Sequence, residues 1–178
     1  LKLLLKLEVN LSYKKDLSIQ DIQSKILYDP IEGAFFRLPT MNKIIFTEST
    51  SLLVAIKVRG KRYRIPAHNI AWLYEYGAYP DKVVMHRDMN KLNFKIDNLK
   101  QVTSTHLIRA TNMYKCLKSG LRVKSHPTDV HKFIVEYNDG KPKKKIFQDY
   151  CVAYAYIEFL KIHIKRDLQK LGVSIGAL

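Results

Sequence analysis

The sequence predicts an α+β chain in two parts, and three observations carry that expectation. Helical and strand periodicities alternate in short runs, each bounded by Gly, Pro, Asn or Asp. At Gly120 the pattern changes, and three short strands then precede one long amphipathic helix. Nearly half of the 178 residues are apolar, enough to bury a core in one compact domain or two small ones.

The elements follow in order. Leu1, Leu3, Leu5, Leu7, Val9 and Leu11 alternate with mostly polar residues, the period of a strand, so residues 1–16 read as an N-terminal extension or edge strand. Ser18 is placed to cap a helix running to about Leu27, stopped by the turn Tyr28-Asp29-Pro30. Gly33 leads into a strand from Ala34 to Leu38. Leu52 to Val58 and Lys61 to Ile65 flank Arg59-Gly60 and read as a hairpin. Pro66 opens a helix through about Tyr76, ended by Gly77. Val83 to His86 is a short strand, followed by an Asn-rich loop. Thr103 or Ser104 caps a further helix to about Leu117, and Lys118-Ser119-Gly120 reads as a linker. Beyond it, Leu121 to Lys124, Phe133 to Tyr137 and Lys144 to Phe147 are strands, the last two joined by Asn138-Asp139-Gly140. Asp149 begins the long helix, with Val152, Tyr156, Phe159, Leu160 and Ile164 assigned to its buried face.

Charge narrows the function. Lys and Arg number 31 against 16 Asp and Glu, a formal net charge of +15, which draws polyanions and repels basic partners. Cys116 and Cys151 form neither a disulfide framework nor a zinc pattern, so a reducing cytoplasm is expected. No stretch approaches the ~20 apolar residues of a membrane-spanning helix, and no membrane partner is expected.

The chemistry is expected in PAHNIAWLYEYGAYPDKVVMHRDMNKLNFKIDNLKQVT, residues 66–103. The ordered set His68, Ala71, Trp72, Leu73, Gly77, Pro80, His86, Asn90, Asn93, Asn98, Leu99 and Thr103 resembles the phage-type HNH homing endonucleases. With the upstream YDPIEGAFFR and IKVRGKRYRI, the resemblance covers most of residues 17–117 and implies an HNH ββα-metal-like module. In that family a histidine activates water against a phosphodiester while a divalent ion steadies the charge on the leaving oxygen. The resemblance puts His86 at the general-base position and makes Asn98, twelve residues on, the brace of the loop that orients it. Taken alone, His86 would pass for an ordinary core or surface histidine; its place in the ordered set selects the other reading.

The implied metal ligands have changed. Met85 stands where the family has an Asp directly before the base, and Leu107, twenty-one residues after His86, stands where it has an Asn or His. A thioether is a soft, neutral ligand and a poor replacement for a carboxylate at Mg²⁺. His106 is the candidate substitute, but a helical neighbour points ~100° away. Phe94 replaces an amide often found in the loop. Cleavage is therefore expected to be lost or severely weakened, with no cofactor, or Mg²⁺ or another divalent ion if the nuclease is active.

Residues 118–178 resemble an APETALA2-like DNA-binding domain, a three-stranded antiparallel sheet packed on a C-terminal helix. Gly120-Leu121-Arg122, Asn138-Asp139-Gly140, Phe147, Ala153, Ala155 and Tyr156 hold the corresponding places, with Phe133 where a Trp is usual. That resemblance implies nucleic-acid contacts by Arg122, Lys124, Lys132, Lys143, Lys144 and Lys145. The expected function is double-stranded DNA binding by a relative of a homing endonuclease, in a phage-infected or bacterial host cell. Two rivals stand beside it: an active metal-dependent endonuclease using His86, with His106 or a carboxylate such as Asp88 rebuilding the metal site, and an RNA- or ribonucleoprotein-associated basic protein.

Overall fold

The computed structural model describes residues 16–47, 52–138 and 141–175. The alternating N-terminal run through residue 15 lies outside the described residues, as do Asp139 and Gly140 of the second turn. The fold is α+β, with small antiparallel sheets and four α-helices among the described residues. No helix there is long and apolar enough to cross a membrane.

The chain divides into two compact units. One runs through His86 and resumes over Asn90–Gln101; the other joins Arg87–Met89 to everything from Val102 onward. In the first unit, helix α1 (Ile19–Gln23) opens on a reciprocal cap. The Ser18 hydroxyl accepts from the Asp21 amide (3.1 Å), and the Asp21 carboxylate accepts from the Ser18 amide (3.0 Å). The helix stops four residues short of the expected Leu27. Ile26–Asp29 instead forms strand β1, paired with β2 (Ala34–Arg37). Ile26 and Tyr28 then face the core while Leu27 faces out, an alternation a helix cannot offer. The Asp29 carboxylate turns the chain by accepting from the amides of Ile31 (2.9 Å) and Glu32 (3.1 Å). Strand β3 (Asn42–Lys43) completes this sheet.

The expected hairpin is β4 (Leu53–Val58) with β5 (Lys61–Pro66). Its two turn residues, Arg59 and Gly60, have φ of 49° and 79°, the positive pair that matches the twist of the flanking strands. Helix α2 (Ala67–Tyr76) follows directly and is closed by Gly77 in the left-handed region. Strand β6 (Val83–His86) pairs with β7 (Leu99–Val102), and a 3₁₀ turn at Ile96–Asn98 precedes β7. Ile22, Ile26, Phe35, Ile65, Ile70, Val84 and Phe94 share one buried cluster.

In the second unit, α3 (Ser104–Ser119) is capped by Thr103 and ends at Gly120. Lys118 and Ser119, read from sequence as linker, form its last turn. Strands β8 (Val123–Ser125), β9 (Phe133–Asn138) and β10 (Pro142–Phe147) form a sheet with β9 in the centre. Helix α4 (Tyr150–Lys170) is capped by Asp149, whose carboxylate accepts from the Val152 amide (2.9 Å). Its buried stripe is Ala153, Ile157, Leu160, Ile164 and Leu168. Val152 and Phe159, expected on that face, are 55% and 53% exposed. Two apolar stripes run along α4, and the one carrying the small Ala153 packs with Val135 of β9.

Gly33 shows how closely the first unit is fitted. Its φ is 64°, and a Cβ there would lie 2.5 Å from the Lys95 nitrogen and 2.7 Å from the Phe94 carbonyl carbon. Gly33→Ala combines left-handed strain with a backbone clash, so denaturant titration should show a loss of about 2–4 kcal/mol. A loss below about 0.5 kcal/mol would mean that the Phe94 loop yields freely.

Candidate nuclease site and nucleic-acid surface

Strand periodicity sets the first feature of the site. Successive residues of β6 point to opposite faces, so Val84 and His86 share one face and Met85 takes the other. All three are buried: Met85 is 2% exposed and His86 9%. The His86 ring meets two others edge-on. His68 lies 5.8 Å away between centroids at 88°, and Phe94 lies 5.6 Å away at 69°.

His68 reaches this position because Pro66 starts α2 immediately after β5, which sets the histidine on the helix's first turn. Its Nδ1 is buried with no hydrogen-bond partner among the described residues. Burial, and secondarily the neighbouring His86, pull its pKa down to about 4, so the ring is neutral near pH 7. The sequence displayed His68 within the ordered set but gave no reason to assign it a role; its closeness to His86 emerges only from the fold.

Phe94 comes from the asparagine loop, and that loop is held by its own amides. Asn90 Oδ1 accepts from the Leu92 amide (3.0 Å), and Asn93 Oδ1 from the Lys95 amide (3.3 Å). Asn98 Nδ2 donates to the Asn93 carbonyl (2.9 Å), which ties the loop's end to its middle. Buried Tyr28 donates its hydroxyl to the Phe94 carbonyl (2.6 Å). Burial raises the Tyr28 pKa far above its ordinary value, so the phenol stays a donor across physiological pH.

At the start of α3, the Thr103 hydroxyl accepts from the His106 amide (3.2 Å). His106 is exposed and Leu107 half-buried. No three His, Cys, Asp or Glu side chains gather in one place among the described residues.

The expected basic residues of the second unit do not share one surface. Residues directly opposite in the ladder lie on the same face, so Lys124, Ile134, Glu136, Lys144 and Ile146 form one side of the sheet. Lys143 and Lys145 fall on the other, toward α4, where the Lys145 ammonium sits 4.3 Å from the Tyr156 ring centroid. Lys124 pairs with Glu136 (2.6 Å), holding that carboxyl below its ordinary range, and Lys132 pairs with Asp129 (2.7 Å). Arg122 is exposed just before β8.

The lowered His68 pKa has a measurable sign. Above pH 6.5 the ring is neutral in folded and unfolded chains alike, and its contribution to stability is complete. As pH falls from 6.5 toward 4, the unfolded chain gains a proton that the buried ring refuses, and stability is lost. The shift corresponds to about 3 kcal/mol. Denaturant titrations at pH 7 and pH 4 should therefore show a stability difference smaller by about that amount in His68→Phe than in the parent chain. Equal differences would place His68 in water.

No curated protein and no solved structure matches this chain. Residues 66–109, which span α2, β6, the asparagine loop and the first turns of α3, match the family model for HNH endonucleases, so this stretch is similar to that family.

Proposed function

We propose that this chain is a double-stranded DNA-binding protein derived from an HNH homing endonuclease, with cleavage lost or severely weakened. The HNH match carries the link to nucleic acid, and the formal charge of +15 supports a polyanionic partner. The observation that carries the loss of cleavage is Met85. The residue directly before His86 is a thioether, and it is fully buried.

An HNH nuclease of this type uses a divalent ion, and the residues present do not fit one. Met85 and Leu107 offer no hard oxygen or nitrogen donor at the two positions the family uses. His86 and Asn98 are proposed to keep their family places, as general-base position and loop brace, without the ion that would make the base productive. The last sixty residues are proposed to act as an APETALA2-like binding domain, with 17–117 and 118–178 as the two modules inherited together. On that view Arg122, Lys124, Lys132, Lys143, Lys144 and Lys145 supply charge around the sheet, with Lys144 better placed than its neighbours on the side away from α4.

Two assays test this reading. Incubated with supercoiled plasmid and Mg²⁺ or Mn²⁺, the protein should leave no nicks. Nicking that disappears in His86→Ala would establish the working endonuclease instead. With duplex DNA, affinity should fall steeply with salt, at a log–log slope of about −0.9 per phosphate neutralised. A clear preference for structured RNA over duplex DNA in direct competition would favour the ribonucleoprotein reading.

A further inference from the structure

The β4–β5 hairpin of the first unit has two chemically different sides. Val54, Ile56, Val58 and Ile65 point into the core. On the outer side, Lys57 lies directly opposite Arg62, and Arg64 follows two residues along the same face, opposite Ala55. All three cations are exposed. Like charges placed directly across a ladder cost stability, and nothing in the packing requires them there.

Neighbouring elements add to the charge. Lys25, just before β1, and Arg37 at the end of β2 line one groove together with Lys57 and Arg62. The Arg37 guanidinium donates to the Ala55 carbonyl (3.0 Å), which fixes it beside the hairpin and leaves further N–H donors on the same group. Among the described residues, no carboxylate lines that groove. The contrast lies at the hairpin's tip, where Arg59 pairs with Asp21 (3.1 Å) and Lys61 with Asp16 (2.8 Å). Among the described residues, the tip's cations are neutralised and the outer face's are not.

We propose that this outer face is a contact surface for the phosphate backbone of duplex DNA, formed by Lys57, Arg62 and Arg64 with Lys25 and Arg37 alongside. A two-stranded ribbon has the width to enter a major groove. Its exposed cations then meet phosphates in place of the carboxylates they lack. The inference rests on the DNA-binding reading above, but assigns the contact to residues outside the HNH match and outside the C-terminal sheet.

The test uses the full chain, duplex DNA as probe, and the variant Lys57→Gln, Arg62→Gln, Arg64→Gln. The salt slope of binding should flatten by up to about 2.7 units, so the affinity ratio between about 50 and 200 mM salt shrinks up to about 40-fold. The melting temperature should hold or rise, because the opposed like charges are gone. As a measurement that no misfolding can disturb, Lys57 in the unaltered chain should be protected from an amine-acylating reagent when DNA is bound. An unchanged slope in a parent chain that binds duplex overturns the hairpin surface and leaves the DNA-binding reading standing. A parent chain that ignores duplex DNA overturns both. If the variant's slope flattens but its melting temperature falls, Lys57 protection decides: protection supports the surface, and full reactivity overturns it.

Discussion

The burial of Phe94 is the constraint on which the first unit depends. A loop rich in Asn, Lys and Asp has no reason of its own to fold inward. One aromatic ring draws it in, packing edge-to-face on Phe35 (5.5 Å) and against Phe46 (5.0 Å). At 2% exposure the ring contributes about 2–3 kcal/mol of transfer free energy. The Tyr28 hydroxyl satisfies the carbonyl that burial would otherwise leave costly. The loop's return path, the placement of β7 beside β6 and the wall beside His86 all follow from that one side chain.

The same ring changes the character of the site. His86 is flanked by the Phe94 ring and by a second, neutral histidine, His68. Met85 is buried on the opposite face of the same strand. The loop's asparagine side chains meanwhile bond its own backbone, which holds the loop's shape beside the site.

Much of this was legible in the chain. Arg59-Gly60 between β-branched runs specified a two-residue hairpin turn, and Pro66 and Gly77 bracketed α2, because these signals act locally. The errors arose where a distant partner decides. Ile26-Leu27-Tyr28 suits a helix or a strand equally well, and only pairing with Ala34–Arg37 selects the strand. Helix α4 carries two apolar stripes, and no local rule tells which one meets Val135. Phe94 read as a lost amide in a functional loop, since nothing nearby in sequence reveals that Phe35 and Phe46 await it. The pairing of His68 with His86 was equally hidden, being a property of two elements eighteen residues apart.

The hydrogen bond from Tyr28 to Phe94 also has a bearing on how the chain is made. Its two ends are 66 residues apart. At synthesis rates of about 5–20 residues per second, Phe94 is added some ~3–13 s after Tyr28. During that interval β1, β2 and the β4–β5 hairpin can form, since hairpins close in about 1–10 μs. Their shared apolar face, with Ile26, Tyr28 and Phe35 in it, is covered only in part, by α1 and α2, until the loop arrives. The nascent chain thus passes through a period in which its core is one aromatic ring short, and repulsion between the positive outer faces of the hairpins opposes the association of such half-made chains.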